Sequence, residues 1–295
     1  MEVRTAQVGF CFGIERAYSA FDKHARSGER IHVAHRAGGA WDTLRRIERR
    51  DPALLDRYPG LQSVAVAHDV ATLKDGDKLM IGFHGLADNT KAALAARGVG
   101  LVEDMLCPFI AKLDRVVERL AGERYDIAIV GKRGNHHCVV AQEFAERHGQ
   151  RCYVIESPED IDAIPPQERH RLALVGQVTG NTVTFDAVVE HIRNARMPVR
   201  IFRTMCGDSR TRQEHAVELA KTSDVVILVD DGGGASESVF EVCSRHNARI
   251  HRVGAKEDIA SDWFDGASKV AIVGGILVPE WTIEDMAERV RELTA

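Results

Sequence analysis

Five short apolar runs punctuate the chain, within "DKLMIGFHG" (77–85), "YDIAIVGKRG" (125–134), "RLALVGQVTG" (171–180), "SDVVILVDDGGG" (223–234) and "SKVAIVGGI" (268–276). Each stops at a glycine-rich turn. Continuous apolar runs bounded by turns predict strands buried on both faces, because a half-buried strand would alternate. Between the runs the pattern changes to a helical period, which predicts helices over 110–122, 138–148, 182–194, 210–221, 236–246 and 281–293. Strand, turn and helix alternate along the whole chain, so the fold class is α/β with mostly parallel sheets. In such sheets ligands gather beyond the carboxyl ends of the strands, where these turns lie.

Composition narrows the function. The 295 residues suffice for one large or two to three small lobes with cores of their own. Charged residues make up 28% and apolar ones 44%, which is ordinary for a soluble globular protein. A net charge of −5 gives no reason to expect nucleic acid, and no apolar run approaches the length of a membrane span. The start "MEVRTAQVGF" lacks the basic and apolar regions of a signal peptide. The expectation is a cytoplasmic protein whose six cysteines are reduced, metal-bound or catalytic rather than disulfide-linked.

Three of those cysteines share a setting. Cys11 in "GFCFGIERA", Cys107 in "EDMLCPFIAKL" and Cys206 in "FRTMCGDSRTRQE" each stand at a segment end just before a helix. A helix N-terminus favours a thiolate at Cys11, which Gly9 and Gly13 flank. The spacings divide the chain into near-equal thirds, with lobes expected at 12–107, at 108–203, and at 204–295 together with 1–11. Cys152, in a strand-like segment, and Cys243, within a helix, read as core packing, while Cys138 beside His136 and His137 is ambiguous. Three converging thiolates could hold a metal centre. A lone structural zinc takes a fourth protein ligand, whereas an iron–sulfur cluster on three cysteines leaves one iron open for chemistry. Chance placement of three helix-start cysteines is the alternative.

On these motifs the sequence resembles the LytB-type 4-hydroxy-3-methylbut-2-enyl diphosphate reductases. The matching blocks run in order along nearly the whole chain: "GFCFGIERA", "DGDKLMIGFHG", "EDMLCPFIAKL", "YVIESPED", "LVGQVTGNT" and "CGDSRTRQEHAV". The resemblance implies three pseudo-equivalent α/β lobes around a central 4Fe–4S cluster with Cys11, Cys107 and Cys206 as ligands. It also implies a diphosphate pocket of three histidines, a threonine and a Ser/Asn-rich loop, with a glutamate delivering protons.

That pocket is only partly kept. His84 stands at a histidine position; Asn135 replaces another, and His137 falls where the glutamate is expected. Near the third position, in the shortened "HVAHRAGGAW", stands Gly39, although one of His32 and His35 could face the pocket. Gln177 and Thr179 remain in their block, but Val178 stands where the phosphate-binding threonine would be. Ser236 survives from the polar loop, and Leu277 replaces the last serine. Asp230 and Asp231 add negative charge, and two charges ~4 Å apart repel by about 4 kcal/mol at an intermediate dielectric. Lys132, Arg133 and a backbone nest at Gly232–Gly234 are the candidates to compensate. His136 is expected at the surface or behind the pocket, and Asp208 as a helix cap.

The leading expectation is therefore an iron–sulfur oxidoreductase acting at an open iron on a non-diphosphate small molecule. Its catalytic residues would be His137 and His84, and Asn135, Gln177, Thr179, Ser236 and Leu277 would line the substrate. A ferredoxin- or flavodoxin-like donor would supply electrons, unless the chemistry is a redox-neutral dehydration. Three alternatives stand beside it. One is a non-catalytic cluster protein with His137 or Cys138 as fourth ligand, another the diphosphate reductase itself with a remodelled pocket, and the last a cluster-free α/β binder.

Overall fold

The computed structural model describes residues 1–6, 9–28, 30–36 and 41–295, the side chains of 41 and 42 excepted. Strand β1 (Glu2–Thr5) leads through the Cys11 turn into α1 (Phe12–Ala25). The first lobe follows, with β2 (Ile31–Ala34), β3 (Val64–Val66), β4 (Lys78–Ile81) and β5 (Gly100–Asp104). Helices α2 (Trp41–Glu48), α3 (Pro52–Arg57) and α4 (Asp88–Ala96) connect them. After α5 (Pro108–Gly122) the second lobe has β6 (Asp126–Val130), α6 (His136–Arg147), β7 (Cys152–Ile155), α7 (Pro158–Asp162), β8 (Leu172–Gly176), α8 (Thr182–Asn194) and β9 (Val199–Ile201). The third has α9 (Gly207–Thr222), β10 (Val225–Val229), α10 (Gly234–Ser244), β11 (Ile250–Val253), β12 (Lys269–Gly274) and α11 (Glu280–Leu293).

All strand pairs among the described residues are parallel. The sheets run β3-β2-β4-β5, β7-β6-β8-β9 and β1-β12-β10-β11. Numbered within each lobe, all three have the order 2-1-3-4, with β1 supplying the fourth strand of the third lobe. The chain thus repeats one unit three times, the last copy completed by the chain's first strand. Two compact units emerge, one of residues Phe10–Pro108, the other of Met1–Gly9 with Phe109–Ala295.

The apolar runs are continuous because both faces of each central strand are covered. On β10, Val225, Ile227 and Val229 pack with Ile283, Met286 and Val290 of α11. The alternate residues Val226 and Leu228 pack with Ala216 and Ala220 of α9 and Val239, Val242 and Cys243 of α10. Each such aliphatic side chain contributes about 1.5–3 kcal/mol when fully buried. In the second lobe, Leu172 and Leu174 meet Phe185, Val188 and Ile192 of α8. Burial pushes the Cys152 and Cys243 thiols up to about 12, so both remain protonated.

Candidate functional site

Each of the three cysteines lies between the fourth strand of a lobe and the next helix: β1 to α1, β5 to α5, β9 to α9. Cys11 and Cys206 occupy the cap position of α1 and α9 with extended backbone, and neither thiol caps its helix. Their carbonyls accept the first helical N–H groups, from Glu15 at 3.0 Å and Arg210 at 3.1 Å. Cys107 precedes Pro108, which opens α5 where no N–H is needed. A second bond fixes two of these turns identically. The Cys107 N–H donates to the Phe83 carbonyl, two residues past β4, and the Cys206 N–H to Val178, two past β8, both at 2.8 Å.

Within residues 10–108 two thiols converge. A Cβ placed on Gly13 would lie 3.3 Å from Cys107 Sγ and 3.9 Å from Cys11 Sγ. Glycine therefore leaves bare the one turn of α1 over which both sulfurs stand. Among the described residues no three His, Cys, Asp or Glu side chains gather tightly enough to hold a single metal ion. Two thiols around a cleared helix turn fit ligands carried on separate irons of a cluster.

In a 2-1-3-4 sheet the chain reverses direction between the first and third strands, and ligands bind beyond that point. Every described pocket position read from the sequence flanks the switch point of its own lobe. In the first lobe His35 follows β2 and His84 follows β4, with ring centroids 5.4 Å apart. The Phe83 ring sets its edge against both, at 4.7 and 4.6 Å. His35 is only 3% exposed and fills the space a side chain at Gly82 would need. His32 instead stays in β2 with Nε2 3.9 Å from Asp77. Gly39 lies outside the described residues.

In the second lobe Asn135 caps α6, its side-chain oxygen accepting the His137 N–H at 3.0 Å. Helix α6 starts two residues earlier than its periodicity suggests, so both histidines lie in its first turn and are buried. This corrects the surface expectation for His136. Burial, reinforced by His136, pushes the His137 pKa down to about 3, so its imidazole is neutral. Gln177 accepts the Lys132 N–H at 3.0 Å and sits 3.7 Å from Cys138 Sγ. Burial raises the Cys138 thiol to about 12, and as a protonated donor to Gln177 it is built as packing rather than as a thiolate ligand. Thr179 is buried, and its carbonyl accepts the Ser238 hydroxyl at 3.0 Å.

The third lobe departs furthest from an anion site. At Gly232 the backbone is left-handed, with φ 73°. The Gly232 N–H donates to Asp230 at 2.9 Å, and the Gly233 N–H to Asp231 at 2.8 Å. The Ser236 hydroxyl also donates to Asp231, at 2.9 Å. The expected backbone nest is thus filled by the loop's own carboxylates. Leu277 forms an apolar wall, 3.1 Å from where a Gly233 Cβ would stand. Asn135 Nδ2 comes within 2.8 Å of a Gly234 Cβ position, so the second-lobe turn and this loop abut.

Nor do the nearby cations compensate. Lys132 pairs with Glu241 at 2.5 Å, and Arg133 with Glu156 at 2.5 Å and Asp160 at 3.7 Å. Arg252 holds Asp230 at 2.6 Å and Glu237 at 2.8 Å. Asp208 lies in the first turn of α9, after the cap position that Cys206 holds, and pairs at 3.1 Å with Arg212, whose side chain is 4% exposed.

Two contributors escape a reading of the sequence alone. Thr204 Oγ1 donates to the Gly176 carbonyl at 2.6 Å and accepts the Gly176 N–H at 2.9 Å, tying the segment before Cys206 to the end of β8. Asp231 is the other, since its capture of Ser236 depends on the path of the loop. No sequence signal marks Thr204, and the sequence marks Asp231 only as an added charge.

A repeated 2-1-3-4 α/β lobe with one helix-start cysteine after each fourth strand defines a three-lobed class with a candidate cluster site. The family model of the LytB protein matches residues 3–291, and the chain belongs to the LytB family. It is similar to curated 4-hydroxy-3-methylbut-2-enyl diphosphate reductases. That of a Nitratiruptor species is 24% identical over 301 residues, covering 99% of both chains. That of Geobacter metallireducens is 26% identical, covering 99% of this chain and 98% of the relative. That of Aquifex aeolicus is 26% identical, covering 97% and 94%. Two solved structures share the fold. A reductase from Plasmodium falciparum superposes with TM-score 0.78 at 17% identity, over 100% of this chain and 88% of that one. An (E)-4-hydroxy-3-methyl-but-2-enyl diphosphate reductase superposes with TM-score 0.60 at 24% identity, over 99% and 100%. Among the described residues no helix is long and apolar enough to cross a membrane.

Proposed function

We propose that this LytB-family chain is an iron–sulfur reductase whose cluster is held by Cys11, Cys107 and Cys206. The observation that carries this reading is the pair of thiols standing over the side-chain-free turn at Gly13. When bound, a 4Fe–4S cluster on three thiolates supplies electrons singly and one iron with an open position. Reductive loss of a hydroxyl balances as R–OH + 2 e⁻ + 2 H⁺ → R–H + H2O, with electrons from a ferredoxin- or flavodoxin-like donor in the cytoplasm.

The chain's own residues orient the substrate and handle protons. His84, tilted against His35 and met edge-on by Phe83, presents an imidazole at the first switch point. His137 stays neutral, so its N–H donates a hydrogen bond to the departing hydroxyl and its other nitrogen can relay a proton. Asn135, Gln177, Thr179 and Ser236 supply polar edges, and Leu277 excludes water. Without electron input the same groups would support a redox-neutral dehydration.

The relatives' names favour 4-hydroxy-3-methylbut-2-enyl diphosphate as substrate, with a remodelled anion site. That reading stands closer to the comparisons than the non-diphosphate one, and we take it first. One specific observation favours the second: Asp230 and Asp231 already accept the loop's N–H donors and the Ser236 hydroxyl. The test is turnover of the diphosphate, and of the same alcohol without its diphosphate, by anaerobically reconstituted protein with dithionite and viologen. Consumption of the diphosphate supports the first reading, and of the free alcohol alone the second. A full cluster turning over neither leaves a non-catalytic redox protein, and absence of bound iron sinks the cluster assignment.

A further inference from the structure

The second lobe ends in an edge strand, β9, beside which arginines gather although the chain's net charge is −5. Three arginines from three elements meet there around two rings. Arg200 of β9 lies 5.2 Å from the Tyr125 ring centroid and 5.5 Å from that of Phe202. Arg171, from the turn before β8, lies 5.2 Å from Tyr125, and Arg119 of α5 lies 5.9 Å from Phe202. All three are exposed. Arg171 and Arg200 are held in place without being neutralised. Arg200 donates to the Tyr125 hydroxyl at 3.3 Å and Arg171 to the Glu123 carbonyl at 2.8 Å. Among the described residues neither has a carboxylate within ion-pair distance, while Arg119 reaches Glu123 only at 3.9 Å and Arg203 pairs with Asp186 at 2.7 Å.

Protection of a sheet edge accounts for a charge on β9 itself. It does not account for Arg171 and Arg119 reaching, from a turn and a helix, one each of the two rings that Arg200 bridges. Like charges gathered on aromatic faces form a preorganised anionic-partner surface, in which the rings offset part of the mutual repulsion. The position matters as much as the charge. Phe202 is four residues from Cys206, so their Cα atoms are at most roughly 14 Å apart even if the chain is fully extended. The segment between is fixed at Thr204 by its two bonds to Gly176, and Lys112 of α5 fastens it by donating to the Arg203 carbonyl at 3.0 Å.

We propose that Arg119, Arg171 and Arg200 form the docking surface for an acidic one-electron carrier protein, seated beside the strand that leads to Cys206. The inference rests on the cluster reading above. Each encounter delivers one electron from the reduced carrier, which leaves oxidised, and two encounters supply the pair that loss of a hydroxyl consumes.

The test uses the full reconstituted chain and an acidic bacterial ferredoxin as probe. Binding is measured by calorimetry at low and high ionic strength, and cluster reduction is followed by stopped-flow absorbance with reduced ferredoxin and, separately, with dithionite. The Arg171→Glu/Arg200→Glu variant should bind ferredoxin at least about tenfold more weakly and accept its electrons correspondingly more slowly. Reduction by dithionite should be unchanged. The Arg171→Lys/Arg200→Lys variant, which keeps the charge, should remain within a few-fold of the parent. Equal ferredoxin binding by the charge-reversed and parent proteins, binding insensitive to salt, or tighter capture of a single-stranded oligonucleotide overturns the proposal. A chain without a reducible cluster shows no dithionite phase, which counts against the cluster reading, while calorimetry still decides the surface.

Discussion

The Ser236 hydroxyl, in the first turn of α10, donates a 2.9 Å hydrogen bond to the carboxylate of Asp231, five residues earlier in the loop that leads into that helix. The hydroxyl that would greet an incoming anion is spent on an internal one, and the Gly233 N–H is spent likewise. Asp231→Asn removes the charge and weakens its hold on both donors. Inorganic pyrophosphate should then bind about tenfold or more tightly than to the parent, a gain of about 1.4 kcal/mol. Isothermal calorimetry checks this, and equal affinities would show that the loop does not control anion binding.

Gly13→Ala separates folding from cofactor loading. In a helix, alanine in place of glycine stabilises by about 0.5–1 kcal/mol. Here the added methyl would stand 3.3 Å from Cys107 Sγ and 3.9 Å from Cys11 Sγ. The variant should melt no lower than the parent without its cluster, yet retain well under half the iron and sulfide after reconstitution. Full loading would mean that the cleared turn is not where the group sits.

Neutral His137 makes stability depend on pH with a defined sign. The unfolded chain protonates this imidazole near its ordinary 6.5, the folded chain only near 3. Between those values the unfolded state binds more protons, so stability falls as pH falls, by up to about 1.4 kcal/mol per pH unit. Above 6.5 the contribution is complete and flat. His137→Gln should therefore flatten the loss of stability between pH 6.5 and 5 in urea titrations, relative to the parent. An unchanged slope would assign the acid sensitivity to other groups.

Thr204→Val keeps shape and deletes the hydroxyl that satisfies both the N–H and the carbonyl of Gly176. Leaving buried partners unmet costs about 1–3 kcal/mol. The variant should lose stability in that range by denaturant unfolding and, because the segment before Cys206 loosens, load its cluster more slowly. A stability loss with normal loading would confine Thr204 to a packing role.

The apolar runs that announce the fold belong to β4, β6, β8, β10 and β12, and each of these strands is central in its sheet. Only a central strand under two helical layers can be apolar throughout. Edge strands read poorly for the same reason. β5 (Gly100–Asp104) is largely exposed, and β9 spans three residues around Arg200. The cysteine turns were legible because helix starts carry local signals such as Pro108 and Gly207. The filled nest was not, since Asp230 and Asp231 look like a source of repulsion until the loop's turn aims the Gly232 and Gly233 N–H groups at them. His35 was half visible. Its pairing with His84 depends on β2 and β4 being neighbours, which sequence distance conceals.

The first strand of the chain pairs in parallel with β12, Glu2 beside Lys269 and Thr5 beside Ile272. A ribosome adding roughly 5–20 residues per second exposes β1 tens of seconds before its partner exists. β1 therefore gains its partner late, whereas the helix whose cap position Cys11 holds packs within residues 10–108 as soon as these are made. A nascent chain stalled before β12 thus leaves β1 an unpaired edge while Cys11 already stands beside Cys107, so two of the three thiols are assembled before the third lobe is complete.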